Sequence, residues 1–261
     1  MKAIIIAAGM GQRLRPYTSD RPKCMVEING RSLIQRQVDA YRAAGIEDII
    51  VIRGYRGRQI QLPNITYVDN VDYKNNNILE SLFCAKEHLF GDVMISYGDI
   101  TFDPDLIKAL IPEQAPISLV VDTQWSQVYE GRDDHPIEQA ELCNVMSIPA
   151  EGMLRRDEIH RITNVGKHVG PEQAQGEFIG LCKIHAPALA RLCAIYEHAR
   201  LKGLNQAYVN APSLRKAYLC DLFNDAIRHD EFIHPYFYEE GKWREIDTVQ
   251  DYERAQSSVT W

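Results

Sequence analysis

Short apolar runs alternate with amphipathic helical segments through the first 122 residues, and this alternation constrains the fold more than any other feature of the chain. Parallel strands need long crossover connections, which helices usually provide, so the pattern predicts an α/β fold with a mostly parallel sheet. The predicted strands lie at 2–8, 48–53, 65–69, 92–97 and 117–122, and the predicted helices at 33–44, at 78–90 and from Asp103-Pro104 onward.

The pattern becomes less regular after residue 122. Alternating runs predict antiparallel strands near 143–148 and 158–163, a core strand at 177–185 and a hairpin that turns at Glu240-Gly241 between 232–238 and 242–246. Helices are predicted at 187–201, at 213–229 and after Thr248. We therefore expect a single domain, 1–261, with a first half at 1–122 and a second lobe at 123–261.

The overall charge narrows the classes of function. The chain carries 36 acidic and 29 basic residues, a net charge of −7, which argues against binding nucleic acid through a broad basic face.

No apolar run approaches the roughly 20 residues that a membrane helix needs. The apolar N-terminal run leads directly into a Gly- and Arg-containing loop, so we interpret it as a buried strand and not as a signal peptide. Six cysteines without a CxxC pair predict reduced thiols in a cytoplasmic protein.

A glycine-rich turn follows the first predicted strand at Gly9-Met10-Gly11. Glycines there allow backbone amides to approach phosphate oxygens without obstruction by a Cβ atom. Arg13 and Lys23 follow and supply the positive charge that an acidic protein needs to bind a triphosphate. A dinucleotide fingerprint needs glycine where Leu14 stands, and the GK(S/T) end of a P-loop is absent.

The same segment resembles the (G/A)(G/A)GxGxRLxPxT…PK signature of the sugar-nucleotidyltransferase superfamily, with matches at Ala8, Gly9, Gly11, Arg13, Leu14, Pro16, Thr18, Pro22 and Lys23. The resemblance implies a Rossmann-like, mixed but mostly parallel sheet in which 1–122 binds the nucleotide and 123–261 binds an acceptor. It implies that the turn binds the nucleotide through Ala7, Ala8, Gly9, Met10 and Gly11. By the same resemblance, Arg13 holds the β- and γ-phosphates and Lys23 stabilises charge at the α-phosphate.

Two aspartates are predicted to bind Mg²⁺, which proteins usually hold through one or two carboxylates. Asp99 follows the strand at 92–97, at the edge where open α/β sheets bind ligands. Asp247 ends a predicted strand in a Trp-Arg-Glu-Ile-Asp-Thr segment that resembles the W-x-(D/E)-(I/V)-(D/N)-T segment of the superfamily. Both are expected to be catalytic together with Lys23 and Arg13, and Asp99 also to contact the nucleotide. The alternative for each is an ordinary loop or cap carboxylate.

The Asn-rich segment before the second helix resembles the N-N-x-x-S-L segment of phosphocholine and phosphonate cytidylyltransferases. Asn77 and Ser81 lie four residues apart, so one helix face presents both, and they are expected to contact the base. The alternative is a plain Asn-rich loop. Gly176-Glu177-Phe178 resembles a G-E-(F/W/Y)-x-G segment of the same subgroup, and the predicted acceptor residues are Glu177, Lys167, Phe178 and Trp243. The alternatives are that Glu177 only orients a basic side chain, that Lys167 is a solvated loop lysine and that Phe178 lies in the core.

These features together predict a Mg²⁺-dependent cytidylyltransferase that transfers CMP from CTP to a small phosphate- or phosphonate-bearing acceptor. The acceptor is left open: aromatic residues favour a quaternary ammonium, whereas Arg132, Arg155, Arg156 and His160 favour a zwitterionic or acidic molecule. A hexose-1-phosphate nucleotidyltransferase using UTP or dTTP and a catalytically silent nucleotide-binding homologue are the alternatives. Since the superfamily is often dimeric, a homodimer is also expected.

Overall fold

A mixed nine-stranded sheet organises this protein, whose computed structural model describes residues 1–149 and 158–261. The strands are β1 Lys2–Ala7, β2 Glu27–Ile28, β3 Arg31–Ser32, β4 Ile49–Arg53, β5 Thr66–Asp69, β6 Val93–Tyr97, β7 Ile100–Phe102, β8 Ile117–Asp122, β9 Leu142–Pro149, β10 Glu158–Gly166, β11 Gly176–Ile184, β12 Ile233–Tyr238 and β13 Trp243–Glu245. The helices are α1 Leu33–Ala43, α2 Ile78–Cys84, α3 Pro104–Leu110, α4 Trp125–Tyr129, α5 Ala186–Lys202, α6 Leu219–Arg228 and α7 Val249–Ser258.

The strand order places a ligand crevice beside β1. The main path of the sheet runs β10-β9-β11-β6-β1-β4-β5, and β1 pairs in parallel with both β4 and β6. The chain therefore continues to one side of β1 through β4 and β5 and to the other side through β6. In open α/β sheets, ligands bind outside the carboxyl ends of the strands at such a switch point.

The second half of the chain extends the same sheet. Strand β11 is antiparallel to both β6 and β8, and β12 pairs in parallel with β8. The predicted α/β class, with a Rossmann-like sheet that is parallel around β1, is confirmed. The predicted division into a nucleotide half and an acceptor lobe at residue 122 remains a prediction. Strands from both sides of this residue are interleaved in one sheet.

The two faces of β1 lie in separate hydrophobic layers, because successive strand residues point to opposite sides of the sheet. Ile4 and Ile6 pack in a cluster with residues of α2, α5 and α6. Ala3 and Ile5 pack in a second cluster with residues of α1 and α3.

Within the described ranges, every helix is too short or too polar to span a lipid bilayer.

Most predicted elements are present within a few residues of their predicted ends, and three differ. The predicted helix at 78–90 ends at Cys84, and the one at 213–229 begins only at Leu219. The predicted hairpin is wrong: β12 pairs with β8, and β13 pairs with β7. The turn at Glu240-Gly241 separates these strands, and each takes a partner from the first half instead of its neighbour.

Candidate active site

A cavity of about 260 Å³ opens at the carboxyl ends of β1 and β6 and brings together most of the predicted site residues. Of the residues predicted from the sequence, those that line it are Ala7, Ala8, Gly9, Arg13, Lys23, Asn77, Ser81, Asp99, Lys167, Glu177, Phe178, Trp243 and Asp247. Residues from both halves of the chain therefore meet at the switch point of the sheet.

Met10 and Gly11 are the exceptions, because neither lines the cavity. Gly11 has φ +57°, and a Cβ atom built on it would lie 2.9 Å from Cβ of Lys23. Its carbonyl accepts a hydrogen bond of 2.6 Å from the Thr18 hydroxyl. Gly11 thus lies behind Lys23 and sets its position, whereas the cavity wall is formed by Gly9.

Lys23 lies at the centre of the polar part of the cavity. Its Nζ donates hydrogen bonds to Asp99 Oδ2 at 2.8 Å and to Asp247 Oδ1 at 2.6 Å. Burial of Lys23 on its own lowers the pKa of the ammonium group, but the charges of Asp99 and Asp247 outweigh burial and raise the pKa above its ordinary value. Lys23 is therefore a permanent positive charge beside the glycine-rich turn.

Asp99 and Asp247 both reach one ammonium group, so the two carboxylates converge on one cation-sized point. Arg13 also forms an ion pair with Asp247. Burial raises the pKa of Asp247, but Lys23, a hydrogen bond from His135 and the Arg13 charge outweigh burial and hold it well below its usual range. Asp99 Oδ1 is buried and has no hydrogen-bond partner among the described residues, as expected for an oxygen that completes its bonding with a ligand.

Two residues that sequence reasoning did not assign to this site extend the cluster. His135 Nδ1 lies 3.3 Å from Asp247 Oδ2 and 3.7 Å from Glu245 Oε2, and the three side chains form a group with the spacing of metal ligands. Glu245 stands two residues before Asp247, a spacing that places both on one side of an extended strand. His135 gives no comparable signal, since only the tertiary fold brings its loop to Asp247.

The predicted acceptor residues form the opposite wall. Glu177 Oε1 accepts a hydrogen bond of 2.7 Å from the Tyr129 hydroxyl, whereas its Oε2 is buried and finds no partner in residues 1–149 and 158–261. Burial raises the pKa of Glu177 to about 8, against a smaller opposing effect of the Tyr129 hydrogen bond. Lys167 Nζ donates to Gln139 Oε1 at 3.0 Å and lies 4.5 Å from the centre of the Tyr218 ring.

Phe178 and Trp243 contribute the apolar part of the acceptor wall, and both are buried. Trp243 Nε1 donates to Asp122 Oδ2 at 2.7 Å, which fixes the indole against β8. His160 does not line the cavity and pairs instead with the Ser147 hydroxyl. Arg155 and Arg156 lie outside the described residues.

Another buried carboxyl group, Glu141, also lines the cavity and was not expected from the sequence. Glu141 Oε2 accepts hydrogen bonds from the Tyr97 hydroxyl at 2.9 Å and from the Cys220 thiol at 3.1 Å. Burial raises the pKa of Glu141 above its ordinary value, although both hydrogen bonds oppose the shift. This carboxyl group therefore joins β6, α6 and the segment before β9.

Asn77 and Ser81 line the cavity at the start of α2, where Asn77 is the N-cap. Asn77 Nδ2 donates to the Lys216 carbonyl at 3.1 Å, and its Oδ1 accepts from the Ile78 amide. Ser81 Oγ donates to the Asn77 carbonyl and accepts from Asn70 Nδ2 at 2.8 Å. Each side chain retains part of its hydrogen-bonding capacity, so contact with a base stays a prediction.

The MobA-like NTP transferase domain matches residues 3–259, nearly the whole chain. The chain belongs to the MobA-like NTP transferase family. Among the relatives of this transferase is a CTP:phosphoglutamine cytidylyltransferase from Campylobacter jejuni, 30% identical over 213 residues that cover 76% of this chain and 78% of the relative. A choline-phosphate cytidylyltransferase from Streptococcus pneumoniae is 40% identical over 106 residues, which cover 39% of this chain and 46% of that protein.

The fold of the transferase is shared with a solved CTP:phosphocholine cytidylyltransferase from Streptococcus pneumoniae. The similarity covers 98% of this chain and 97% of that structure, with a TM-score of 0.66 and 22% sequence identity. The resemblance inferred from the glycine-rich segment and from Asp247 is thereby confirmed at the level of family and fold.

Proposed function

We propose that this transferase moves CMP from CTP to a small phosphate- or phosphonate-bearing acceptor and releases pyrophosphate. The observation that carries the proposal is the ammonium group of Lys23 bound to both Asp99 and Asp247 inside the cavity, beside the glycine-rich turn. The names of the two relatives support CTP as the nucleotide and a phosphorylated small molecule as the acceptor class.

In the proposed complex, the triphosphate lies along the turn at Ala8 and Gly9. A Cβ atom on Gly9 would meet no atom of the described part of the protein within 4 Å, so packing against these residues does not require a glycine there. A phosphate group that approaches the backbone would require one. Arg13, whose side chain is 49% exposed, is free to turn from Asp247 toward the β- and γ-phosphates.

The reaction that follows needs little from the protein beyond position and charge. An anionic oxygen of the acceptor forms a new bond to the α-phosphorus, while the bond from the α-phosphorus to the bridging oxygen of pyrophosphate breaks. The acceptor oxygen is already deprotonated at neutral pH, so the step requires no general base. Lys23 stabilises the negative charge that develops around the α-phosphate, and Arg13 stabilises the departing pyrophosphate.

Asp99 and Asp247 are the residues that would hold Mg²⁺, the cofactor we propose. The convergence of the two carboxylates and the unpartnered Asp99 Oδ1 fit a hard cation with oxygen ligands. The bound ion would neutralise phosphate charge during transfer.

We assign Lys167 to the phosphate or phosphonate of the acceptor and Glu177, with Phe178 and Trp243, to the remainder of the molecule. Among the described residues Glu177 Oε2 is buried without a partner, so a ligand group that forms a hydrogen bond with a carboxyl group fits there. Asn77 and Ser81 are assigned to the cytosine. We also propose a cytoplasmic location, because the six cysteines are free thiols. We further propose a homodimer, which light scattering in solution would test.

A substrate screen tests the proposed function directly. Purified protein is assayed for pyrophosphate release from CTP, UTP, dTTP and ATP against phosphocholine, 2-aminoethylphosphonate, phosphorylated amino acids, polyol phosphates and hexose 1-phosphates. Turnover with CTP and a phospho- or phosphono-acceptor is expected. Turnover only with UTP or dTTP and a hexose 1-phosphate would replace the proposal with its main alternative. Nucleotide binding without any turnover would identify a silent homologue.

Substitution of the central lysine tests the mechanism. Lys23→Met removes the charge beside the α-phosphate and keeps most of the side-chain volume, so kcat should fall by about 100-fold or more. Lys86→Met is the control, since Lys86 is exposed and lies outside the cavity. Near-wild-type turnover of Lys23→Met under saturating substrates would defeat the assignment.

A further inference from the structure

The loop at 130–135 is attached to the N-terminal half of α7. Arg132 Nε donates to Asp251 Oδ1 at 2.6 Å, and Nη2 donates to Asp251 Oδ2 at 3.0 Å. The same Nη2 donates to Glu245 Oε2 at 2.9 Å and lies 3.2 Å from His135 Nδ1. Arg132 thus links one loop to both sides of Asp247 in the chain, at Glu245 and at Asp251.

Asp251 transmits this contact to the backbone of Asp247. Its Oδ2 accepts hydrogen bonds from the Asp247 amide at 3.1 Å and from the Thr248 amide at 2.9 Å. The Asp251 amide in turn donates to the Thr248 hydroxyl, which completes a capping box at the start of α7. The backbone that carries the Asp247 carboxylate is therefore held by the acid that Arg132 binds.

Burial makes this linkage strong and specific. The side chains of Arg132 and Asp251 are only 3% and 4% exposed, and removal of one charge would leave the other buried without its bidentate counter-charge. The Asp247 carboxylate itself is bound by Lys23 and Arg13, so Arg132 neutralises the adjacent acids Glu245 and Asp251 instead. Arg132 does not line the cavity, whereas His135 does.

We propose that Arg132 is a positioning residue that orients the Asp247 carboxylate for the divalent cation, acting through Asp251, Glu245 and His135. The inference rests on the proposed function, because it assumes that Asp99 and Asp247 bind the metal. Partners in the outer shell that orient metal-binding carboxylates are typically worth 10- to 100-fold in metal affinity or activity. Loss of Arg132 should therefore weaken metal binding more than it weakens binding of the nucleotide at the glycine-rich turn.

Three variants test this role: Arg132→Met, Arg132→Lys and the matched control Arg254→Met. Arg254 also joins α7 to the same loop, through a 3.1 Å hydrogen bond to the Glu130 carbonyl, but its guanidinium forms no hydrogen bond or ion pair with the carboxylates of Asp251 and Glu245. The readouts are the dissociation constant of Mn²⁺ in the presence of CTP without acceptor, by electron paramagnetic resonance, the Mg²⁺ concentration for half-maximal velocity, and the Tm.

Arg132→Met is expected to raise the Mn²⁺ dissociation constant and the half-maximal Mg²⁺ concentration by about 10-fold, with kcat largely restored at saturating Mg²⁺. Arg132→Lys keeps the charge but loses the bidentate contact with Asp251, so both metal values should rise less than in Arg132→Met. This variant also serves as the test if Arg132→Met does not fold. Arg254→Met is expected to lower the Tm without altering either metal value.

Metal values for folded Arg132→Lys and Arg132→Met that equal those of Arg254→Met would overturn the inference. A rise in the acceptor KM with unchanged metal values would also overturn it and would assign Arg132 to the acceptor wall. If the wild-type protein neither binds Mn²⁺ with CTP nor turns CTP over, the proposed function fails instead. The two failures are therefore distinguishable in one set of measurements.

Discussion

Glu177 is a carboxyl group whose environment favours the protonated form. It is buried among Tyr129, Phe178 and β8, and the nearby charges of Glu245 and Asp122 add to the effect of burial, while Tyr129 and Arg132 oppose it. With a pKa of about 8, the group is mostly protonated at neutral pH and is able to donate a hydrogen bond. A cationic group of an acceptor would instead favour the ionised form, so occupancy and protonation at this residue are linked.

Glu177→Gln tests the raised pKa through stability. The unfolded chain releases this proton near the ordinary value of 4.5, whereas the folded protein retains it up to about 8. The free energy of unfolding of the wild type therefore falls as pH rises between these values, because the unfolded state binds fewer protons. Glutamine has no proton to lose, so the stability of the variant relative to wild type should increase from pH 5 to pH 8.

Chemical denaturation of both proteins across this pH range measures the difference. The Tyr129 hydrogen bond survives in the variant, because the amide oxygen accepts it as the carboxyl oxygen does. A stability difference that does not change with pH would show that Glu177 ionises normally in the folded protein.

At the scale of elements, the turn after β1 depends on one glycine. Gly11 needs a positive φ, and a Cβ atom there would press on Cβ of Lys23 at 2.9 Å. Gly11→Ala should cost about 1–2 kcal/mol of backbone strain and also displace Lys23, so both the Tm and kcat should fall.

Gly30→Ala separates these two effects. Gly30 has φ +76° in the exposed turn between β2 and β3, and a Cβ atom there would meet nothing within 4 Å. It should cost similar strain and leave kcat unchanged. Equal kcat values for the two variants, measured with saturating CTP, would contradict the role of Gly11 in placing Lys23.

Elements with local signals could be predicted from the sequence. The glycine-rich turn follows β1 directly, and the Ser32 cap of α1, whose hydroxyl accepts from the Gln35 amide, is encoded within four residues. The prediction of a β12–β13 hairpin was wrong because pairing was inferred from a nearby turn, whereas the actual partners, β8 and β7, lie far away in sequence. Strand pairing across such distances is decided by burial in the whole sheet, which no local pattern contains.

The same distinction applies to the site. Asp99 and Asp247 carried signals because each follows the end of a strand by two residues in a recognisable segment. His135 and Glu141 gave no assignable role, and Arg132 was assigned only to an acidic or zwitterionic acceptor, because the partners of these side chains lie far away in sequence, in or next to α6 and α7. In a sequence, polar residues of irregular segments cannot be distinguished from solvent-exposed loop residues. Only their buried contacts in the structure show that they have a role.

At the scale of the whole molecule, the sheet does not separate into two halves at residue 122. Strand β8 belongs to the first half by sequence, yet it pairs only with β11 and β12, and β7 pairs with β13. Ile117, Leu119, Val120 and Val121 of β8 are fully buried in the intact protein. Their exposure would cost roughly 1.5–3 kcal/mol per side chain, in total comparable with the 5–15 kcal/mol that typically stabilises a folded protein.

The fragment 1–122 is therefore expected not to fold alone, although its sequence reads as a nucleotide-binding half. It would leave β8 without a partner and expose the edge of β6 that β11 covers. The amide proton NMR spectrum of the fragment should show the narrow dispersion of an unfolded chain, and its urea titration should lack a cooperative transition. Co-expression with 123–261 is the control, because the missing strands then return and the two pieces should assemble. A dispersed spectrum and cooperative unfolding of 1–122 alone would mean that the nucleotide-binding half is autonomous and that β8 is held by contacts other than strand pairing.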